Sequence, residues 1–344
     1  MAITAKEIAK QLGVSRQAVY SVLNSKEVCH VSPDKREKIL FLARAYHYRP
    51  NTAALQLNGK QTHRIGAVMH SYGGVDAVFL SRLATRLVAE NYQLQTVSFL
   101  GVKQGLDALA SLVNSGVDGI IYHKKYVSAE HDQIGIPAVA IADELANDYF
   151  TGAKEATTHL IKVHGHRKIL YLGIEEFDPK STVGKYDGYC AGMRQAGLEP
   201  LPLLHTLENT GFEKQLKAHL DSGVTAVFCT GATAAAHLIY QFRLRGIRVP
   251  EDIAVIGFFS GMKYPGIATV MTDQHRLAER AADMILDKIR NNERTCRTKT
   301  EWIMPRFQPD LSCGCPGHSV SNFAFRYSLD DTESYESQSG EKPL

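Results

Sequence analysis

Apolar residues near the start of the chain recur at helical spacing in three short blocks, and further on the pattern changes to apolar runs alternating with helical stretches. Thr4-Ala5-Lys6-Glu7 has the form of a capping box, in which Thr4 and Glu7 satisfy each other's backbone donors, and Ile8, Ala9 and Leu12 follow on one helix face. Gly13 breaks that helix. Ser15 caps a second helix to Asn24 with Val19, Val22 and Leu23 inward, and Ser32-Pro33-Asp34 opens a third. Ile39, Leu40, Ala43 and Tyr46 are expected to close a three-helix core. The spacing Ala9, Gly13, Val19 suits a helix-turn-helix: a small residue for close approach, a glycine for the turn, an apolar residue to lock the second helix.

Strand-like runs then appear at 65–70, 94–99, 117–123, 137–142, 168–174, 226–231 and 252–258, and Trp302 to Pro305 open a last one. Helical stretches lie between them, among them 76–91, 153–165, 234–246 and 274–290. Such alternation predicts parallel sheets covered by helices on both faces, and the number of strands implies two Rossmann-like lobes. The expected class is therefore α plus α/β, a three-helix head on a two-lobed body. From about Gly317 the chain is rich in Ser, Asp and Glu without periodicity, and is expected to be disordered because it has too little apolar area to offset its ordering entropy.

Charge sharpens the division. Residues 1 to 64 hold eleven Lys or Arg against Glu7, Glu27, Asp34 and Glu37, a balance of +7, so the remainder carries −4 of the total +3. A charge run alone usually marks a solvated face, but a basic helix-turn-helix on a mildly acidic body is the pattern of a nucleic-acid-binding module attached to something else. Hydrophobic content of 44% is ordinary for a globular chain, and no apolar run approaches the roughly 18 residues of a membrane span. The N-terminal stretch lacks a secretory apolar core, so a cytoplasmic location is expected. The six cysteines then read as reduced thiols; Cys313 and Cys315 form a CxC pair, two ligands short of a zinc site.

The blocks EIAKQLGVSRQAVYSVLN, VSPDKREKI, YRPNTAALQLNGK and HRIGAVM, in this order and spacing, resemble the lactose-repressor (LacI/GalR) family of bacterial regulators, with weaker similarity to about residue 312. The resemblance implies a DNA-binding head over 1–48, a hinge helix over 49–62, a two-lobed periplasmic-binding-protein-like effector and dimerisation domain over 63–316, and a tail over 317–344. It implies that the second helix lies in the major groove, with Arg16, Gln17 and Ser21 at the base-reading positions and Leu57 of the hinge wedged into the minor groove. Arg16 suits a guanine edge and Gln17 an adenine, while many relatives carry Arg where Ser21 stands. Thr4, Ser15, Asn24, His30 and Ser32 fall where phosphate contacts are expected.

An inter-lobe effector site is implied at strand ends, lined by His70, Ser71, Tyr72, His123, Asp148, Lys185 and Phe259. Lys185 stands where sugar-responsive relatives have Arg, while Gly231-Ala232 and Phe259 replace their usual Asn-Asp and Asp, which weakens the case for a conventional monosaccharide. The expected partners are an operator duplex, a second copy of the chain across helices 76–91 and 274–290, and a small effector; neither cofactor nor membrane is expected. A regulator gated by a protein partner and a non-regulatory solute-binding protein are the alternatives. No dinucleotide-binding glycine turn, phosphate loop, nucleophile elbow or metal-ligand set appears, so no enzyme is expected. His159, His164 and His166 read as an ordinary helix-to-strand turn.

Overall fold

The computed structural model describes residues 3–24, 31–48, 61–70, 74–99, 102–125, 127, 134–173, 179–205, 211–259, 261, 263–295 and 299–317. His30, the hinge residues through Leu57, Ser71, Tyr72 and nearly all of the tail lie outside them.

Three helices form the head: α1 (Ala5–Leu12), α2 (Arg16–Asn24) and α3 (Pro33–Ala45). The capping box is present, with Thr4 Oγ1 accepting from Glu7 N at 3.3 Å and Glu7 Oε2 accepting from Thr4 N at 2.7 Å. Gly13 closes α1 in the left-handed region at φ 60, where an L side chain would be strained. Ile3, Ala5, Ile8, Ala9, Val19, Val22 and Ile39 form the core, with Leu12, Leu23, Leu40, Ala43 and Tyr48 packed against it. The expectation for Tyr46 is corrected: its ring is 49% exposed. Helix α3 ends at Ala45, His47 turns left-handed at φ 49, and Tyr48 comes back to the core with its N–H donating to Ala43 O at 2.8 Å.

The body follows as β1 (Arg64–Met69), α4 (Gly74–Ala89), β2 (Gln93–Ser98), α5 (Val102–Asn114), β3 (Gly119–His123), β4 (Ala138–Ile141), β5 (Leu145–Asn147), α6 (Tyr149–Lys162), β6 (Ile169–Gly173), α7 (Pro179–Gln195), β7 (Leu204–His205), α8 (Phe212–Asp221), β8 (Ala226–Cys229), α9 (Ala232–Leu244), β9 (Ala254–Phe258), β10 (Ala268–Met271), α10 (Gln274–Arg290), β11 (Glu301–Ile303), β12 (Arg306–Gln308) and the 3-10 turn η1 (Leu311–Cys313). Among the described residues two six-stranded sheets result, ordered β11-β5-β4-β3-β1-β2 and β12-β10-β9-β8-β6-β7. Strand β1 is parallel to both β2 and β3, with Ala67 opposite Thr96 and Ile121, whereas β12 runs antiparallel to β10. The buried runs of β1, β4, β6, β8 and β9 are what a sheet covered on both faces demands.

Two compact units emerge. The first is assembled from Met1–Tyr72, Leu80–Glu144 and Ala278–Thr300, the second from Gly73–Phe79, Leu145–Leu277 and Glu301–Leu344. Inside the first, Lys288 and Glu144 form a fully buried ion pair, Nζ to Oε1 2.5 Å. Lys288 Nζ also donates to the carbonyls of Ala138 and Thr295, both at 2.9 Å, and Glu144 Oε2 accepts from Ala140 N at 3.0 Å. All three ammonium protons are thereby used, which is the condition under which a buried charge is tolerated. No helix among the described residues is long and apolar enough to cross a membrane.

Candidate nucleic-acid interface and effector site

At about 100° per residue, positions 16, 17, 20, 21 and 24 of α2 fall within an arc of roughly 140°, opposite the buried Val19 and Val22. Arg16 and Gln17 are exposed at its start, and Ser15 Oγ accepts from Ala18 N at 3.0 Å, anchoring that end. Ser21 is half-buried one turn beyond Gln17. Tyr20, which the motif reading passed over, is in the same arc and packs partly against the head core; its spacing of four from Arg16 is the signal that places it there. Thr4, Ser15 and Ser32 are all exposed, and Asn24 is the last residue of α2. Ser32 precedes Pro33 at the start of α3 without making a side-chain capping bond. The head is therefore a rigid support presenting a cation and an amide at the start of a helix, the arrangement suited to donor and acceptor edges in a major groove.

The seven residues proposed for an effector divide between the units. In the first, His70 follows β1 and His123 ends β3, so they stand at the carboxyl ends of adjacent parallel strands, the usual ligand-facing end of such a sheet. Burial, then the positive charges of Lys125 and His70, lower the His123 pKa to about 3, keeping the imidazole neutral near pH 7.

In the second unit, Asp148 is used as the N-cap of α6, its Oδ1 accepting from Thr151 N at 2.9 Å and its Oδ2 from Thr151 Oγ1 at 2.7 Å. Lys185 on α7 donates from Nζ to Thr230 O at 3.1 Å and lies over the rings of Phe258 and Tyr149, at 4.6 and 4.9 Å from their centroids. Burial lowers its pKa to about 8. Phe259 is half-buried, its N–H donating to Val270 O at 2.9 Å, while the neighbouring Phe258 is the buried ring, stacked on Phe228 at 5.5 Å. Both polar candidates of this unit thus have intramolecular partners. Also in this unit, His159, His164, Cys313 and Cys315 converge, a grouping hidden when the histidines are read as a helix end and the cysteines as an incomplete pair.

A basic helix-turn-helix ahead of two largely parallel α/β sheets is the architecture of a transcriptional regulator with a periplasmic-binding-protein-like body. The model of the periplasmic binding protein-like domain matches residues 157–309. The chain is similar to the HTH-type transcriptional regulator IdnR of Escherichia coli K12, 26% identical with 86% of this chain and 95% of the relative covered. It is also similar to the probable HTH-type transcriptional repressor ExuR of Bacillus subtilis 168, 28% identical over 88% of this chain and 95% of the relative. Among solved structures, the lac repressor dimer bound to operator and the anti-inducer ONPF matches with a TM-score of 0.74 at 21% identity, covering 91% of this chain and 99% of that one. Over most of its length the chain is thus similar to HTH-type transcriptional regulators and repressors, the relatives that the resemblance to the LacI/GalR family implied.

Proposed function

We propose that this regulator is a cytoplasmic repressor that binds a pseudo-palindromic operator as a homodimer. The observation that carries the reading is the exposed Arg16-Gln17 pair at the start of a capped helix, within a basic N-terminal stretch whose residues 1 to 64 balance at +7. Arg16, Gln17 and Ser21 read base edges, with Tyr20 beside them. Thr4, Ser15, Asn24, His30 and Ser32 hold phosphates, and Leu57 enters the minor groove between two hinge segments that fold together on DNA. The lac repressor, crystallised as a dimer bound to operator, supports the pairing, and a two-fold dimer implies a two-fold operator. The dimer face is assigned to α4 and α10. These helices are linked within one chain by Arg82 to Glu279 and Arg86 to Asp283, which leaves Val88, 65% exposed, to meet a partner.

Selection of duplexes by the full-length protein from a random library, at near-physiological salt, tests this proposal. An inverted repeat is the expected outcome; unrelated sequences whose binding vanishes with rising salt would overturn it. Arg16→Ala is expected to cost about 1–3 kcal/mol on that repeat and to relax specificity at one position per half-site.

For the effector, two readings stand beside each other. A small anion is supported by the Lys185 ammonium of the second unit. A regulator without a sugar-like effector, gated by a protein, is supported by the capping role of Asp148 and by Gly231-Ala232 and Phe259 in place of polar anchors. A thermal-shift screen of sugars, nucleobases and phosphorylated metabolites separates them. A binding anion is expected to lose affinity as pH rises through about 8, where Lys185 gives up its charge. No shift from any of these compounds favours the protein-gated reading.

A further inference from the structure

The last turn of α6 carries His159, and His164 sits in the turn that follows. From the other end of the chain, Cys313 closes η1 and Cys315 lies just beyond Gly314. Their ligand atoms converge. His159 Nε2 is 3.1 Å from His164 Nε2, Cys315 Sγ is 3.3 Å from His164 Nε2 and 3.4 Å from His159 Nε2, and Cys313 Sγ is 3.8 Å from His159 Nε2. All four atoms lie within 4.8 Å of one another. Zinc at tetrahedral angles, with bonds of about 2.0–2.1 Å to nitrogen and 2.3 Å to sulfur, separates its ligands by roughly 3.3 Å for N–N and 3.6 Å for N–S. The observed spacings are close to those edges.

Hydrogen bonding alone does not account for the convergence. Nε2 of His159 faces three groups but carries either one proton or one lone pair, whereas a cation takes one lone pair from each ligand. The support is prebuilt. Ser312 Oγ donates to Val255 O at 2.5 Å and accepts from Ala268 N at 2.9 Å, and Asp310 Oδ1 accepts from Leu311 N at 2.8 Å, fixing the loop before any ligand binds. Gly314, at φ 96, makes the reversal between the two cysteines, and a Cβ there would lie 3.2 Å from His164 Nδ1. Phe307 packs its ring 4.9 Å from that of His159.

We propose that His159, His164, Cys313 and Cys315 form a closed zinc site that fastens the segment after β12 to the end of α6. With two imidazoles and two thiolates filling a tetrahedron, no position remains for water or substrate, so the ion is structural. Binding ionises both thiols and releases two protons, and Cys313 gives up its S–H donation to Asp310 O, a 3.1 Å contact.

The test is metal content of the full-length protein, purified through a tag that binds no metal and dialysed after zinc addition. One zinc per chain is expected. Cobalt substitution should give intense visible bands of tetrahedral Co(II) with thiolate charge transfer in the near ultraviolet. His164→Ala and Cys315→Ser, both at half-buried positions, are expected to weaken zinc binding at least roughly tenfold. His166→Ala should not, because His166 Nδ1 bonds Thr225 Oγ1 at 2.9 Å outside the cluster. Protein that retains no zinc, unchanged zinc in both variants, or cobalt spectra without thiolate bands would each overturn the proposal. Because His164→Ala leaves both thiols in place, it remains informative if Cys315→Ser fails to fold.

Discussion

The head and the α/β part of the first unit are stabilised by the same kinds of interaction at very different sequence separations. In the head, each cap is completed three residues away, Thr4 with Glu7 and Ser15 with Ala18, and the seven core residues all fall between Ile3 and Ile39. In the first unit, Lys288 meets Glu144 across 144 residues and Arg82 meets Glu279 across 197. Local closure makes the head legible. Distant closure ties the segments of that unit together, because its fully buried ion pair is completed only when two distant stretches of chain meet.

The sharpest way to break that comparison is Lys288→Met, which strands the Glu144 carboxylate in the interior. A loss of about 3–5 kcal/mol is expected in denaturant unfolding, with much of it recovered in Lys288→Met combined with Glu144→Gln. A body that unfolds at unchanged denaturant would show that the pair is dispensable. A smaller effect is expected from pH. His123 titrates at about 3 in the folded chain against 6.5 unfolded, so the unfolded state takes up its proton first. The stability it contributes is complete above 6.5 and is lost as pH falls toward 3. His123→Asn should flatten unfolding free energy across that window, and an unaltered slope would refute the assignment. At the small end, Thr4→Ala is expected to cost about 1 kcal/mol. That loss should appear in amide exchange of the head alone; protection lost throughout the body would blur the division between the regions.

How much could be read from the chain follows the same divide. Thr4, Gly13, Ser15, Val19 and Val22 take the positions their spacing predicts. Tyr46 and Tyr48 exchange roles because a left-handed non-glycine, His47, is not signalled by any local rule. Helix α6 begins at Tyr149 rather than 153 because Asp148 caps it, and Thr151 three residues on was the available cue. Strands β5, β7 and β10 escape notice because two to four residues give too little alternation, and their pairing comes from the sheet beside them. The His–Cys cluster lies deepest beyond reach. Its halves are 151 residues apart between His164 and Cys315, so only the three-dimensional fold brings four ligands together from two pairs.

One consequence of the segment order of the first unit concerns its birth on the ribosome. The contacts of the head all lie near one another in sequence, but Glu144 leaves the tunnel 144 residues ahead of Lys288. At roughly 5–20 residues per second, that carboxylate waits about 7–29 s for its ammonium, and α10 is made only near the end of that wait. Throughout that interval the basic N-terminal stretch is tethered to a body whose buried carboxylate has no counter-charge.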